Sequence, residues 1–534
     1  MPVFLLLVTV IIIACILLNH LSSRLGIPML LGFILLGMFF GSDGVLKIPF
    51  DNYGSAEQIC SVALIFIMFY GGFGTKWSEA KPAAAKAIFL STAGVVMTAG
   101  ITGAFCYFAL RMRLLESLLI GAVISSTDAA SVFSILRSKR LNLKDNTASL
   151  LEVESGSNDP FSYMLTMTVL SIMSGTAEAG GIAYMLFAQI VYGLLGGAVI
   201  AFLALWFLKN FHFATEGFDT IFVVAVVLLA YAAPAAIGGN GYLSAYVVGI
   251  LLGNGPLKNK KALVHFFDGI TGLMQMLIFF LLGLLAFPSQ LPGVVLPALL
   301  IALFLTFAAR PLAVFAIMTP FRCRLNQQLL VAWSGLRGAA SIVFAIMAVV
   351  SPGAISMDIF HIVFFIVLFS ILFQGSLIPL AARKLGMIDE HANVLKTFND
   401  YTEEVPVQFI QFTIKEGHPW EGKAICDILL PPDTLLALLT RKEEQIVPKG
   451  DTVLLAGDVL VLSAKAMSAA DGIRLTELPV SEDCGWAGKK VADVVLEPGK
   501  LIVMIRRQEK VIIPSGGTVL KERDVLVING PTEE

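Results

Sequence analysis

The sequence predicts a polytopic α-helical membrane protein of about thirteen transmembrane helices, arranged as two inverted six-helix repeats with discontinuous crossing helices. Tandem cytosolic α+β modules are expected to follow. Three observations carry this expectation. The 534 residues are 57% hydrophobic and 14% charged, with a mean hydropathy of +0.83, far from the usage of soluble domains. The apolar runs are confined to residues 1–385, and the polar remainder repeats itself.

The same numbers exclude several classes. A net charge of −2 gives nucleic acid nothing to bind. Cys15, Cys60, Cys106, Cys323, Cys426 and Cys484 are isolated, with neither metal-ligand nor disulfide-framework spacing. The six histidines are equally scattered, which argues against a metal-centred membrane enzyme. Met1-Pro2-Val3-Phe4-Leu5 lacks a basic region and reads as the start of a first span, not as a cleaved signal.

Hydropathy places spans at 3–19, 26–41, 55–74, 83–110, 115–136, 149–174, 183–208, 218–237, 240–253, 262–287, 293–319, 328–350 and 357–382. The spans at 26–41 and 240–253 are short and rich in glycine. Sixteen lysines and arginines fall in one alternate set of loops, and only Lys47, Arg111 and Arg113 in the other. By the positive-inside rule the C-terminus is cytoplasmic and, with an odd span count, the N-terminus lies outside.

After Arg383-Lys384 the composition turns polar. Residues 386–404 read as a linker, and 405–467 and 468–534 as two copies of one small module. Trp420-Glu421-Gly422-Lys423 recurs as Trp486-Ala487-Gly488-Lys489, and 420–462 aligned without gaps on 486–528 gives 19 identities in 43 positions. Arg441 matches Arg507, and Asp458 matches Asp524. Short alternating strands between Pro and Gly turns suit an α+β unit. A module of about 60 residues has a marginal core, so the copies are expected to pack on each other or on a second subunit.

The chemistry gathers between Ser125 and Pro160. Ser125-Ser126-Thr127-Asp128 interrupts an apolar span with side chains that compete for backbone hydrogen bonds, as a broken helix requires. Asp128 can then sit against a positive helix end. The alternative is a plain N-cap, with Thr127 or Asp128 opening a helix that starts late. In the next span Glu154 and Asn158 share one face at i, i+4, and Ser155 and Asp159 share the neighbouring stripe. These hard oxygen donors suit an alkali cation. Pro160 frees a carbonyl about one turn back, near Gly156. Glu152, close to the helix start, reads as interfacial. Carboxylates at mid-bilayer are costly and are paired or functional, so this stretch reads as the ion site of a transporter.

Arg310, deep within 293–319, and Arg337, in Gly335-Leu336-Arg337-Gly338, each need a counter-charge or carbonyl partners. The Thr127-Asp128 and Gly335–Gly338 interruptions lie seven spans apart, which suits inverted repeats of spans 1–6 and 8–13. Asp128 and Arg337 would then offset opposite helix-end charges where the broken helices cross.

Thr127-Asp128, Glu154-Ser155, Asn158-Asp159, Arg310 and Gly335-Leu336-Arg337-Gly338 resemble the motifs of the monovalent cation:proton antiporter-1 family. The tail resembles paired TrkA-C (RCK-C) modules, a combination similar to the bacterial potassium/proton branch. The resemblance implies that Asp159 binds cation and proton alternately. Thr127 and Ser155 would add oxygen ligands to K+ or Na+, and Glu154 would pair with Arg310. Asn158, in place of a second aspartate, implies electroneutral exchange. A homodimer in the bacterial inner membrane is implied too, as is a small effector such as cyclic di-AMP on the modules. One departure is Ala129 after Asp128, where many relatives have proline; this bears on the crossing geometry. No protein cofactor is expected beyond the transported ions.

Three other readings stand beside this one. The first is Na+ or Li+ exchange, since oxygen ligands alone do not fix cavity size. The second is a gated channel, for which Tyr70-Gly71-Gly72-Phe73-Gly74 is the nearest sequence to a carbonyl filter. The third is a membrane hydrolase using Ser155, which lacks a neighbouring histidine motif.

Overall fold

The computed structural model describes residues 2–530 apart from 26–28, 140, 177–178, 212, 214, 216, 258–259, 353–354, 390–406, 432–433, 442–443, 466–473, 481–485, 495, 497–500, 508–509, 513 and 523. Two compact units result, Met1–Thr402 and Glu403–Glu534. Most of the expected linker at 386–404 lies outside the described residues.

The first unit is helical: α1 (Pro2–Leu25), α2 (Met29–Phe40), α3 (Tyr53–Gly74), α4 (Trp77–Phe89), α5 (Val95–Phe108), α6 (Leu114–Val123), α7 (Ala129–Ser138), α8 (Thr147–Met173) and α9 (Ala179–Asn210). It continues with α10 (Phe218–Ala236), α11 (Gly241–Gly253), α12 (Lys260–Leu284), α13 (Leu291–Phe304), α14 (Arg310–Met318), α15 (Leu325–Trp333), α16 (Ala339–Val350), α17 (Ile359–Phe369) and α18 (Ser376–Lys384). Among the described residues, each stretch that hydropathy marks contains helix; 26–28, at the start of the second, lie outside the described residues. Among the described residues, seven helices are long and apolar enough to cross a membrane.

Single π-helical turns join α4 to α5 at Leu90–Gly94, α13 to α14 at Leu305–Ala309, and α17 to α18 at Ser370–Gly375. The gaps between α6 and α7 and between α15 and α16 are different: residues 124–128 and 334–338 leave the helix altogether. The cause of the first gap is local. Ser125 Oγ donates to the Ala122 carbonyl at 2.7 Å, occupying an acceptor at the end of α6.

Glycines set the closest packing. A Cβ on Gly72 would lie 2.2 Å from the Tyr246 carbonyl oxygen, and one on Gly253 would lie 2.1 Å from that of Phe73. Tyr70–Gly74 is thus the helical seam between α3 and α11. Its carbonyls belong to a helix and do not form the ring that a channel filter needs.

Two apolar clusters flank the broken helices. One gathers α2, α3, α11, α12, α16 and α17. The other packs Val132 and Leu136 of α7 against Leu150 and Leu151 of α8, Leu330 of α15 and Ile378 of α18. Beyond α18 the chain returns to the turn between α7 and α8. Leu143 and Ile388 form an antiparallel bridge. The Lys144 amide donates to the Met387 carbonyl at 2.9 Å, and the Asp389 amide to that of Asn142 at 3.0 Å. Met387 itself is buried.

The second unit contains two four-stranded antiparallel sheets of the same topology. β1 (Val407–Thr413), β2 (Thr434–Arg441), β3 (Glu444–Ile446) and β4 (Val459–Lys465) pair in the order β1-β4-β2-β3. β5 (Arg474–Pro479), β6 (Leu501–Arg507), β7 (Lys510–Ile512) and β8 (Val525–Gly530) pair as β5-β8-β6-β7. The bulge at Leu436/Leu438 recurs at Ile502/Met504. Among the described residues this unit has strands and short 3₁₀ turns but no α-helix, so the helical half of the α+β expectation has no counterpart there.

The repeat extends to single hydrogen bonds. Arg441 Nε and Nη2 clamp Asp458, each at 2.7 Å, and Arg507 clamps Asp524 at 2.8 and 2.7 Å. Both aspartates are buried. The Arg441 clamp holds the Asp458 carboxyl below its ordinary range, against the opposing effect of burial. At Asp524 burial pushes upward, and the bonds from Arg507 and the Lys521 amide outweigh it. A carboxylate depressed in the folded state adds stability above its unfolded value of about 3.9, and that stability is lost as pH falls through the folded value.

Amide protection in β4 and β8, measured by hydrogen exchange on the intact chain, is therefore expected to hold down to about pH 4 and to fall below it. In Arg507→Met the buried Asp524 loses its partner. Protection of β8 should then drop by about 1.5–3 kcal/mol at neutral pH and lose its acid dependence, while β4 keeps both. Equal behaviour of the two strands in that variant would refute the pairing as their lock.

Candidate functional site

The two unwound stretches meet. The Asp128 amide donates to the Leu336 carbonyl at 2.8 Å, joining one break to the other. Asp128 then caps α7: Oδ1 accepts from the Ser131 amide at 3.2 Å and Oδ2 from the Ser131 hydroxyl at 2.5 Å. The N-cap alternative and the helix-charge reading thus describe one arrangement, a carboxylate at the positive end of a half-helix. At the opposite end, Arg337 Nη1 donates to the carbonyls of Ser125 (3.2 Å) and Ser126 (2.5 Å) beyond α6, placing a cation at a negative helix end. The Arg337 amide donates to Ser370 Oγ at 3.0 Å, in the π turn between α17 and α18.

Both glycines of Gly335-Leu336-Arg337-Gly338 make room for a charge. A Cβ on Gly338 would lie 2.2 Å from Asp128 Oδ2, and one on Gly335 would lie 2.9 Å from Arg310 Nε. Gly338→Ala is expected to displace Asp128, abolish ion exchange and leave the protein's sorting to the membrane unchanged. A fully active alanine variant would show that the crossing tolerates that displacement.

The polar residues of α8 split into struts and a carboxylate with one open oxygen. Ser155 Oγ donates to the Thr127 carbonyl at 2.7 Å and accepts from the Ala129 amide at 2.8 Å. Asn158 Nδ2 donates to Thr127 Oγ1 at 2.6 Å, while its Oδ1 accepts from the Thr127 amide at 3.3 Å. Ser155 and Asn158 therefore hold the break open, and each serine or threonine oxygen keeps only part of its capacity for a cation. Glu154 turns the other way to Arg310 on α14, with Oε1 2.5 Å from Nη2 and both side chains at most 3% exposed. Asp159 is 8% exposed, and its Oδ1 has no hydrogen-bond partner among the described residues.

A cavity of about 430 Å³ reaches Asp159, lined also by Asp128, Ser155, Glu152, Tyr70 and Asp268. A second, of about 30 Å³, lies between Asp159, Ser126, Thr127 and Gln275, close to the share of volume of one water molecule. Glu152, which sequence reading treats as interfacial, lines the larger cavity. Asn240, unremarked in the sequence, caps α11 and donates from Nδ2 to the Pro160 carbonyl at 2.8 Å. α8 runs through Pro160 without a break. The signal for Asn240 was only a polar residue at the head of a short, glycine-rich span.

Two interrupted helices crossing beside a buried carboxylate define a discontinuous-helix secondary transporter. Comparison places it further. The sodium/hydrogen exchanger transmembrane family matches residues 8–384, and the TrkA-C domain matches 409–470 and 475–534. The chain belongs to the sodium/hydrogen exchanger family. It is 35% identical over 465 residues to the K(+)/H(+) antiporter NhaP2 of Shewanella sp. (strain ANA-3), covering 85% of this chain and 79% of that one. It is also 35% identical over 456 residues to the K(+)/H(+) antiporter NhaP of Alkalimonas amylolytica, covering 84% and 79%. The Na(+)/H(+) antiporter ApNhaP of Aphanothece halophytica is 27% identical over 358 residues, 63% of this chain and 66% of that one. Among solved structures, the sodium proton antiporter MjNhaP1 of Methanocaldococcus jannaschii superposes with a TM-score of 0.64 at 23% identity, over 72% of this chain and 99% of that one.

Proposed function

We propose that this protein exchanges K+ for H+ by alternating access, one for one, with Asp159 as the shared binding group. The observation that carries this reading is the unpartnered Asp159 oxygen where the two cavities meet, beside the helix crossing. A proton and a cation each neutralise the same carboxylate, so binding one expels the other. Empty and charged, Asp159 resists exposure to the membrane; neutralised, it moves. Thr127 and Ser155 contribute residual oxygen lone pairs. Asp128, Arg337 and the Glu154–Arg310 pair hold the half-helices in place.

K+ is preferred over Na+ because the 35%-identical relatives named for K+ align across most of the chain, tail included. The Na+-named relative aligns over less of it and at lower identity. Loop charge supports an inner-membrane protein with its N-terminus outside and its TrkA-C modules in the cytoplasm. The larger cavity is also lined by Gly74, Ser134 and Asp268, near the basic loops, which supports an opening towards the cytoplasm. A homodimer regulated through the modules by a small effector, with cyclic di-AMP as the candidate, completes the reading. Nothing in it calls for enzymatic chemistry: the Ser155 hydroxyl is given to a backbone carbonyl.

The test is reconstitution in liposomes carrying a pH-sensitive dye, with K+, Na+, Li+ and Rb+ added in turn. K+ should dissipate the proton gradient at the lowest concentration. If Na+ or Li+ does so instead, the site stands and the K+ assignment fails.

A further inference from the structure

The larger cavity has a polar wall that the crossing helices do not supply. Asp268, Thr271, Gly272 and Gln275 of α12 all line it. Their spacing of i, i+3, i+4 and i+7 puts them on one stripe of the helix. Leu263, Phe267 and Ile278 of the same helix are apolar and buried in the core, the last two on the side of Thr271. A polar stripe on an otherwise apolar helix needs a reason beyond packing.

Two details supply one. Thr271 is 8% exposed, and its Oγ1 has no hydrogen-bond partner among the described residues. Threonine in a helix ordinarily returns its hydroxyl to a carbonyl one turn back, and a buried hydroxyl left unbonded is costly. Gln275 lines both cavities, as Asp159 does. Two helical turns before Gln275, the Tyr70 hydroxyl donates to Asp268 Oδ1 at 3.1 Å and orients that carboxylate. Beside Thr271, Gly272 leaves open space where a side chain would stand.

We propose that this stripe is a descending ladder of oxygen ligands for the incoming alkali cation: Asp268 gathers it, and Thr271 Oγ1 and the Gln275 amide oxygen replace its hydration water on the way to Asp159. The proposal rests on the exchange reading above. A carboxylate at the mouth of a cleft raises the local cation concentration. Neutral hydroxyl and amide oxygens are the weak-field donors that strip water from an alkali ion without trapping it. Asp159 sets the coupling to protons; Thr271 and Gln275 set affinity and the preference among alkali cations.

The experiment uses the full chain in proteoliposomes, with KM and maximal rate for K+ and Na+ measured at fixed pH in Asp268→Asn, Thr271→Val, Thr271→Ser and Gln275→Leu. Asp268→Asn should raise the K+ KM about tenfold, and N-methylglucamine chloride at high concentration should erase the difference by screening. Thr271→Val and Gln275→Leu should each raise it about fivefold, as the loss of one oxygen ligand. That shift should be insensitive to added salt, should alter the K+/Na+ ratio, and should leave maximal rate and pH profile in place. Thr271→Ser should restore the wild-type KM. An unchanged KM in Thr271→Val and Gln275→Leu overturns the ladder, as does a lower maximal rate with unaltered KM, while active wild-type protein keeps the exchange reading intact. Wild-type protein that exchanges no alkali cation overturns both.

Discussion

Asp159→Asn in proteoliposomes is expected to exchange no K+ for H+, with dye recovery after a K+ pulse falling to the level of protein-free vesicles. The substitution is nearly isosteric and keeps a carbonyl oxygen facing the small cavity, so packing around α8 should survive. What is lost is titration. An amide carries no charge for a cation to neutralise and takes up no proton, so neither half of the cycle can drive the other. Asn158, immediately before it, shows what an amide does in this setting: it serves the Thr127 backbone and side chain as a strut. Measurable pH-driven K+ flux in Asp159→Asn would move the binding group elsewhere, with Asp128 first in line because it shares both cavities.

Glu154→Gln should leave folded but much weakened protein. Arg310 is buried, and Glu154 is its ion-pair partner. Removing one member of a buried pair leaves an uncompensated charge and costs about 3–5 kcal/mol. The expected readout is a lower melting midpoint in detergent, with exchange lost in step. The double variant Glu154→Met, Arg310→Met should recover most of that stability, since replacing a whole buried pair by apolar side chains is often neutral. With Glu154→Met and Arg310→Met as the single variants, the double-mutant cycle measures the coupling. A single variant as stable as wild type would mean that Arg310 draws its support from carbonyls instead.

The helical layout and the site were legible in the sequence to different depths. Span positions follow from apolar length alone, and the two breaks announce themselves because polar residues at 125–128 and glycines at 335 and 338 cannot continue an apolar helix unaided. The partners across those breaks were less accessible. The Asp128 amide meets the Leu336 carbonyl, and Asn240 meets Pro160, through contacts far apart in the chain that leave no local periodicity. Ser155 reads in the sequence as a cation ligand, and what the sequence does not show is that its hydroxyl also bonds the backbone of residues 127 and 129. A sequence shows donor types but not which acceptor lies nearer. The α12 stripe was readable at i, i+3, i+4 and i+7, but its residues are spread through a long apolar span whose hydropathy conceals them. In the tail, the repeat in sequence foretold the repeated Arg–Asp clamp because identical residues at identical spacing fold to identical bonds.

The bridge between Leu143 and Ile388 gives the membrane unit a clasp. The polypeptide leaves its last helix and is held by two backbone hydrogen bonds and a buried methionine to the turn joining α7 with α8. Asp128 opens one of those helices and Asp159 lies on the other. The segment after α18 is therefore fixed to the turn that sets how those two helices meet. Met387→Asp, which puts a charge into that buried contact, is expected to loosen the turn and lower exchange, measured as the maximal K+ rate in proteoliposomes.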